Sequence, residues 1–256
     1  MRESRVLKKL RNGEIVSCIL VHLGPHATDI AAMSGVDCIW IDNEHRGQDW
    51  SSLQAQVWAA KSHNVDVMIR VPRGSYSDYI KPLELDATGI MVPHVMSVED
   101  AKQIVKMTRF HPVGRRPVDG GNADGKYSQM NLNEYAKQAN KQRFVVVQIE
   151  DPEPLDELEK IAVLDGIDML FFGPGDFSHG IGALGEWEHP KIMEARKRIA
   201  EIAVKHGKFA GTTTTLENIG EMIQMGYKFL AVGADVVGLG NYCNKLVKGF
   251  EEMTQR

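Results

Sequence analysis

Eight short apolar runs recur along the chain, each separated from the next by a stretch whose apolar residues fall at helical spacing. They are Ile15 to Val21, Val36 to Ile41, Asp66 to Val71, Gly89 to Pro93, Phe144 to Glu150, Ile167 to Ser178, Phe209 to Thr212 and Lys228 to Val232. Being rich in β-branched and aromatic residues and almost continuous in hydrophobicity, they read as strands buried on both faces. Between them helices are predicted through Ala32, along a stripe of Leu53, Val57, Trp58 and Ala60 capped by Asp49 or Ser51, and over Tyr76 to Leu85. Further helices are expected over Ser97 to Phe110, which opens close to a capping box, and over Asn133 to Asn140 and Pro154 to Leu164. The last two of this set run from Lys191 to His206 and from Thr215 to Met225, stopped by Gly226. A charged amphipathic helix carrying Val6, Leu7 and Leu10 precedes the first strand, and a helix-forming tail runs from Val236 to the end.

Strand, helix, strand in succession makes parallel neighbours. Eight such units over residues 1–256 predict a single-domain (β/α)8 TIM barrel. An open doubly wound sheet is the competitor. Against it, no Gly-x-Gly-x-x-Gly follows the first strand and the alternation persists to the end of the chain.

Composition changes this picture only by exclusion. A net charge of -4 with interspersed signs and no basic stripe argues against a nucleic-acid partner. Cys18, Cys38 and Cys243 lack the paired short spacing of a structural zinc site or disulfide framework, which points to a reduced, cytoplasmic setting. No signal peptide and no membrane-spanning run is expected.

In such a barrel the chemistry sits at the strand C-termini. Read in turn, those ends offer His22, Asp42 to His45, Arg70, Pro93-His94, Gln148-Ile149-Glu150, Gly175-Asp176, Thr212 and Asp235. A carboxylate after a strand is commonly a helix cap or a solvated loop charge. Glu150 and Asp176, however, end neighbouring strands, and two carboxylates on one rim suit a hard divalent cation with positions left for substrate. A 2-oxo acid fills two such positions. Arg70, at the end of a buried strand, needs an anionic partner: either a strand-end carboxylate or a developing enolate oxygen. His45 is the best placed proton carrier. His22, His94 and His179 lie near the rim, where hydrogen-bonded or solvated roles are the plainer ones. The glycine-rich loop Pro112 to Ser128 is long enough to suggest a functional segment.

Five stretches together carry a resemblance: Trp40-Ile-Asp42-Asn-Glu44-His45, Ile69-Arg70-Val-Pro72, Ile90-Met-Val-Pro93, Gln148-Ile-Glu150 and Phe172-Gly-Pro-Gly-Asp176-Phe-Ser178. With Ala231-Val-Gly-Ala-Asp235 they resemble, over nearly the whole chain, the metal-dependent pyruvate aldolases of the 4-hydroxy-2-oxoheptanedioate and 2-dehydro-3-deoxyglucarate aldolase family. The resemblance implies that Glu150 and Asp176 bind Mg2+, Mn2+ or Co2+, that His45 is the general base and that Arg70 stabilises the transition state. It further implies that Gln148 and the backbone at Gly175 and Asp176 contact the pyruvate part of a 2-oxo acid, with an aldehyde as the other product. It also implies a homohexamer in which the C-terminal helix, around Val237 to Met253, packs on a neighbouring subunit. Where the family has an aspartate assisting the histidine, this chain has Glu84, with Asp86 two residues on. Asn43, Arg46 and Gly114-Arg115-Arg116-Pro117 are further departures, and Arg46 is expected to select an anionic aldehyde. A lysine mechanism is disfavoured, since Lys208 and Lys228 start their strands and so sit on the wrong rim. The alternatives are a citramalyl or malyl thioester lyase and a non-catalytic sugar-acid-binding barrel; the co-occurrence of His45, Arg70, Glu150 and Asp176 counts against the second.

Overall fold

The computed structural model describes residues 1–254; the last two residues of the expected tail helix lie outside the described residues. The chain begins with α1 (Arg5–Arg11) and β1 (Val16–Val21), then α2 (Pro25–Met33), β2 (Cys38–Asp42), α3 (Trp50–Ser62), β3 (Asp66–Arg70), α4 (Tyr76–Glu84) and β4 (Gly89–Val92). The second half runs α5 (Val98–Thr108), α6 (Leu132–Gln142), β5 (Phe144–Ile149), a 3-10 turn (Glu153–Glu157), α7 (Leu158–Ala162) and β6 (Met169–Phe172). It ends with α8 (Pro174–Gly180), α9 (Pro190–Lys205), β7 (Phe209–Thr214), α10 (Ile219–Met225), β8 (Phe229–Ala234) and α11 (Asp235–Thr254). All neighbouring strands pair in parallel, and β8 pairs with β1, so the eight strands close into a barrel.

Side-chain alternation sorts each strand into two cores. One parity packs against the surrounding helices: Ile39, Ile41, Val67, Ile69, Val145, Val147 and Leu170 belong to the outer layer. The other fills the barrel: Cys18, Cys38, Trp40, Met68, Met91, Phe144, Val146, Met169, Phe171 and Phe229. Within it Phe171 stands edge-on to Trp40 at 5.5 Å and to Phe229 at 6.3 Å, the geometry that aromatic quadrupoles favour. The same inner cluster contains Val6, Leu7 and Leu10, so α1 plugs the N-terminal end of the barrel. It is pinned there by Asp66, which accepts from Ser4 Oγ at 2.7 Å and from the Val6 amide at 2.9 Å.

Two expectations need correction. Trp58 is not part of the α3 stripe: it is exposed, and Leu53, Gln56, Val57 and Ala60 are the buried face. The strand expected from Ile167 to Ser178 stops at Phe172, because Gly173 turns the chain and Pro174 starts α8 as its first helical residue. The glycine-rich 112–128 loop, between α5 and α6, lies against the N-terminal face. There the Arg116 and Tyr135 side chains meet Asp124, and Asp124 and Asp86 both pair with the buried Arg143 that precedes β5.

Among the described residues no helix is long and apolar enough to cross a membrane. The longest helix, α11, buries none of its residues; Val237, Leu239, Leu246, Val247 and Phe250 face away from this barrel.

Candidate active site

The parity that fills the barrel also aims the polar residues at its mouth. Asp42 follows Cys38 and Trp40 on β2, and Arg70 follows Asp66 and Met68 on β3, with Asp42 and Arg70 in direct register. On β5, Phe144 and Val146 lead to Gln148 and then, one residue past the strand, to Glu150. These four side chains therefore stack above the aromatic interior, enclosed by strands and nearly dry.

Arg70 is fixed before any substrate arrives. Its Nε and Nη2 donate to the two oxygens of Asp42 at 3.0 and 2.9 Å, and its guanidinium lies 5.2 Å from the centre of the Trp40 ring. Burial opposes the charge of Arg70, but Asp42, Glu44 and Glu150 outweigh it and hold its pKa above the ordinary value. For Asp42, burial again pushes upward and is overridden by Arg70, which leaves the carboxyl below its usual range. The ion-pair reading of Arg70 is thus met. Glu44 adds an ionic contact at 3.2 Å, but Nε is already committed to Asp42, so Glu44 Oε2 remains buried without a hydrogen bond.

Glu150 is held from two sides in surroundings that oppose its charge. The amide of His94, a residue in the left-handed conformation (φ 48°), donates to its Oε1 at 2.9 Å, while Gln148 Nε2 donates to its Oε2. Burial pushes the carboxyl up to about 7; His94 pulls it down, and the neighbouring charge of Asp176 adds to the rise. Gly173 makes this packing possible, since a Cβ there would lie 2.6 Å from Glu150 Oε2. Asp176 reaches the site from an exposed position in the first turn of α8. A ring nitrogen of His94 and one oxygen each of Glu150 and Asp176 lie within 4.8 Å of one another.

A divalent cation fits this arrangement. The donors are mainly carboxylate oxygens, burial and Asp176 oppose the charge of Glu150 in a way that a cation would relieve, and Gln148 Oε1 and Glu44 Oε2 are buried with unused acceptor capacity. Glu150 and Asp176 are the residues that would hold it, with His94 alongside. The imidazole of His94 is itself steered by Asp151, whose Oδ2 is 2.8 Å from Nδ1. Although burial opposes its charged form, Asp151, Glu150 and Glu44 raise its pKa.

The remaining expected residues divide. His45 stands on the same rim in the loop after β2, with 63% of its side chain exposed and Nε2 3.7 Å from Glu44. Gly175 lies at the open start of α8. Glu84 is not beside His45. It ends α4 on the opposite, N-terminal rim, where its backbone oxygen accepts from the Asp124 amide, and Asp86 there is bound to Lys61 and Arg143. Within the chain neither can assist His45, because each precedes β4 whereas His45 follows β2; Glu44 is the carboxylate that stands next to the imidazole. Lys208 does sit on the wrong rim for a Schiff base, donating to the backbone oxygens of Leu164 and Ile167 at 2.9 and 2.8 Å.

Comparison with known proteins gives the family and the fold. The model of the family described as HpcH/HpaI aldolase/citrate lyase matches residues 21–241. A 5-keto-4-deoxy-D-glucarate aldolase of Klebsiella pneumoniae is 30% identical, with 93% of this chain and 92% of that protein aligned. A hydroxypyruvate/pyruvate aldolase of Roseobacter denitrificans is 34% identical, with 91% and 92% aligned. An HpcH/HpaI aldolase structure from Desulfitobacterium hafniense superposes with a TM-score of 0.90 at 29% identity, covering 96% of each chain.

Proposed function

The chain belongs to the HpcH/HpaI aldolase/citrate lyase family, and on that premise we propose that it reversibly cleaves a 4-hydroxy-2-oxo acid to pyruvate and an aldehyde. Family and relatives make it a carbon–carbon lyase. The observation that carries the finer reading is the buried Glu150 carboxylate, pushed up to about 7 and facing Asp176, beside an Arg70 already locked by Asp42.

When bound by Glu150 and Asp176, a Mg2+, Mn2+ or Co2+ ion supplies Lewis-acid polarisation of the 2-oxo group. The chain's own residues do the rest. Gln148, with a free Oε1, and the backbone at Gly175 and Asp176 position the pyruvate half. The start of α8 suits a carboxylate because its first amides have no intrahelical acceptor. Arg70, held rigid by Asp42, takes the negative charge that develops on the 2-oxo oxygen; a donor fixed in advance needs no reorganisation during the step. His45 removes the 4-hydroxyl proton. The C3–C4 bond then breaks, its electron pair forms the C2–C3 double bond with charge on the oxygen beside Arg70, and the aldehyde leaves. Return of a proton to C3 completes pyruvate. The exposure of His45 lets it exchange protons with solvent between turnovers. The uncovered apolar face of α11, together with the family resemblance, supports a homohexamer in which that helix packs on a neighbour.

Pyruvate release by metal-stripped protein from a panel of 4-hydroxy-2-oxo acids tests the reading. Release is expected only after Mg2+, Mn2+ or Co2+ is restored. Release without metal would overturn the role of the two carboxylates, and no release from any acid would move the reading to a coenzyme A ester as substrate.

A further inference from the structure

The order of the strands gives the substrate a direction. The pyruvate half is assigned to β5 and β6, through Gln148, Glu150 and Asp176, and Arg70 lies on β3. The base for the 4-hydroxyl, His45, follows β2. A 4-hydroxy-2-oxo acid laid across the mouth in that order carries its atoms beyond C4 onward, past His45, toward the gap between the ends of β2 and β1. An open groove of about 660 Å³ lies there, and His45 itself forms part of its wall.

The remainder of the wall is mostly polar. Its polar lining residues are His22, Arg46, Gln48, Asp49 and Ser52, with Leu23 the apolar exception. His22 is immobilised by Asp235, which accepts from the His22 amide at 2.9 Å and from the Leu23 amide at 2.8 Å, and lies 3.1 Å from His22 Nδ1. That pairing commits Nδ1 and leaves Nε2 for a ligand. Arg46 is exposed and forms no ion pair among the described residues, whereas Arg70 and Arg73 are both engaged by carboxylates. The acid on the same wall, Asp49, is occupied as the N-cap of α3, accepting from the Ser52 amide at 2.9 Å. Arg46, without an ion pair among the described residues, thus lines a groove whose acid, Asp49, is already used.

We propose that this groove is the subsite for the aldehyde half and that Arg46 is its specificity-determining residue, selecting aldehydes with a carboxylate at the end remote from the carbonyl. The inference rests on the lyase reading above and deepens it. A planar fork of donors on a solvent-exposed loop recognises a carboxylate by paired charge-assisted hydrogen bonds, which a lysine reproduces only as a point charge.

The test uses the full chain with metal added and compares condensation of pyruvate with succinate semialdehyde and with its neutral methyl ester. The unmodified protein is expected to prefer the acid, and Arg46→Gln to reduce the acid-to-ester ratio of kcat/KM about tenfold, with Arg46→Lys falling between them. A ratio near one in the unmodified protein, or one that Arg46→Gln leaves unchanged, overturns the subsite. Exchange of the pyruvate methyl protons with deuterated water, measured on the unmodified protein without aldehyde, separates the two levels. Exchange with an unchanged ratio overturns the subsite alone; absence of exchange overturns the lyase reading and the subsite with it.

Discussion

Glu150 shows most directly how a single side chain is kept ready at a cost in stability. Its pKa is held up to about 7 by burial and by Asp176, against an ordinary 4.5. The folded, metal-free protein therefore binds this proton more tightly than the unfolded chain does. The stabilisation so gained is full below 4.5 and is lost as the pH rises through 7. Glu150→Gln removes the buried charge, and Gln148 can turn its unused Oε1 toward the new amide. At about pH 8 the metal-free Gln variant is expected to be more stable to urea than its parent by on the order of 2 kcal/mol, with the gap closing toward about pH 5. A gap that does not vary with pH would contradict this account of the residue. Asp42 works in the opposite sense. It accepts both charge-assisted hydrogen bonds of a buried Arg70, so Asp42→Asn is expected to cost about 3 kcal/mol in urea denaturation, and Asp42→Asn combined with Arg70→Met distinctly less.

At the level of elements, the turn from β6 into α8 decides whether the carboxylates can meet. Gly173 allows Glu150 to pack against the backbone, and Pro174 starts the helix that brings Asp176 to the rim. Gly173→Ala would place a methyl 2.6 Å from Glu150 Oε2 and 2.7 Å from Glu150 Cβ, and the Cβ, unlike a chain end, cannot swing away. The barrel should survive, while affinity for Mn2+ in calorimetry is expected to fall by about tenfold or more. An unchanged affinity would show that Glu150 tolerates displacement. This turn also marks the limit of what the sequence makes legible. The strand bodies declare themselves through continuous β-branched and aromatic runs, and their two-residue alternation carries Arg70, Gln148 and Glu150 into the mouth. No periodicity announces that a polar run ending a strand becomes a helix, or that His94 adopts φ 48° and gives its amide to Glu150. The distance of Glu84 from His45 within the chain has a similar origin. The family resemblance implies an assisting carboxylate at that position, but within one chain the end of α4 delivers it to the rim where β4 begins. Glu44, by contrast, could have been recognised as a second acid next to Arg70 from its position just past β2.

For the whole molecule, the barrel closes its floor with α1 and leaves the last helix outside. Phe250 is 71% exposed and Leu246 is 54% exposed on a helix that buries nothing, a pattern that favours a partner surface. Leu246→Glu combined with Phe250→Glu is expected to lower the molar mass seen by light scattering to that of a smaller assembly, while the barrel's circular dichroism persists. The claim on which the rest depends is that this mouth, loaded with a divalent cation, makes pyruvate acidic at its methyl carbon. The direct measurement is deuterium incorporation into the pyruvate methyl group, followed by NMR in deuterated water, with metal-stripped protein, with Mn2+ restored, and with Glu150→Gln plus Mn2+. Exchange only in the second case is the predicted result. Equal exchange in the stripped protein or in the variant would contradict it, since proton removal would then not depend on the carboxylate at the end of β5.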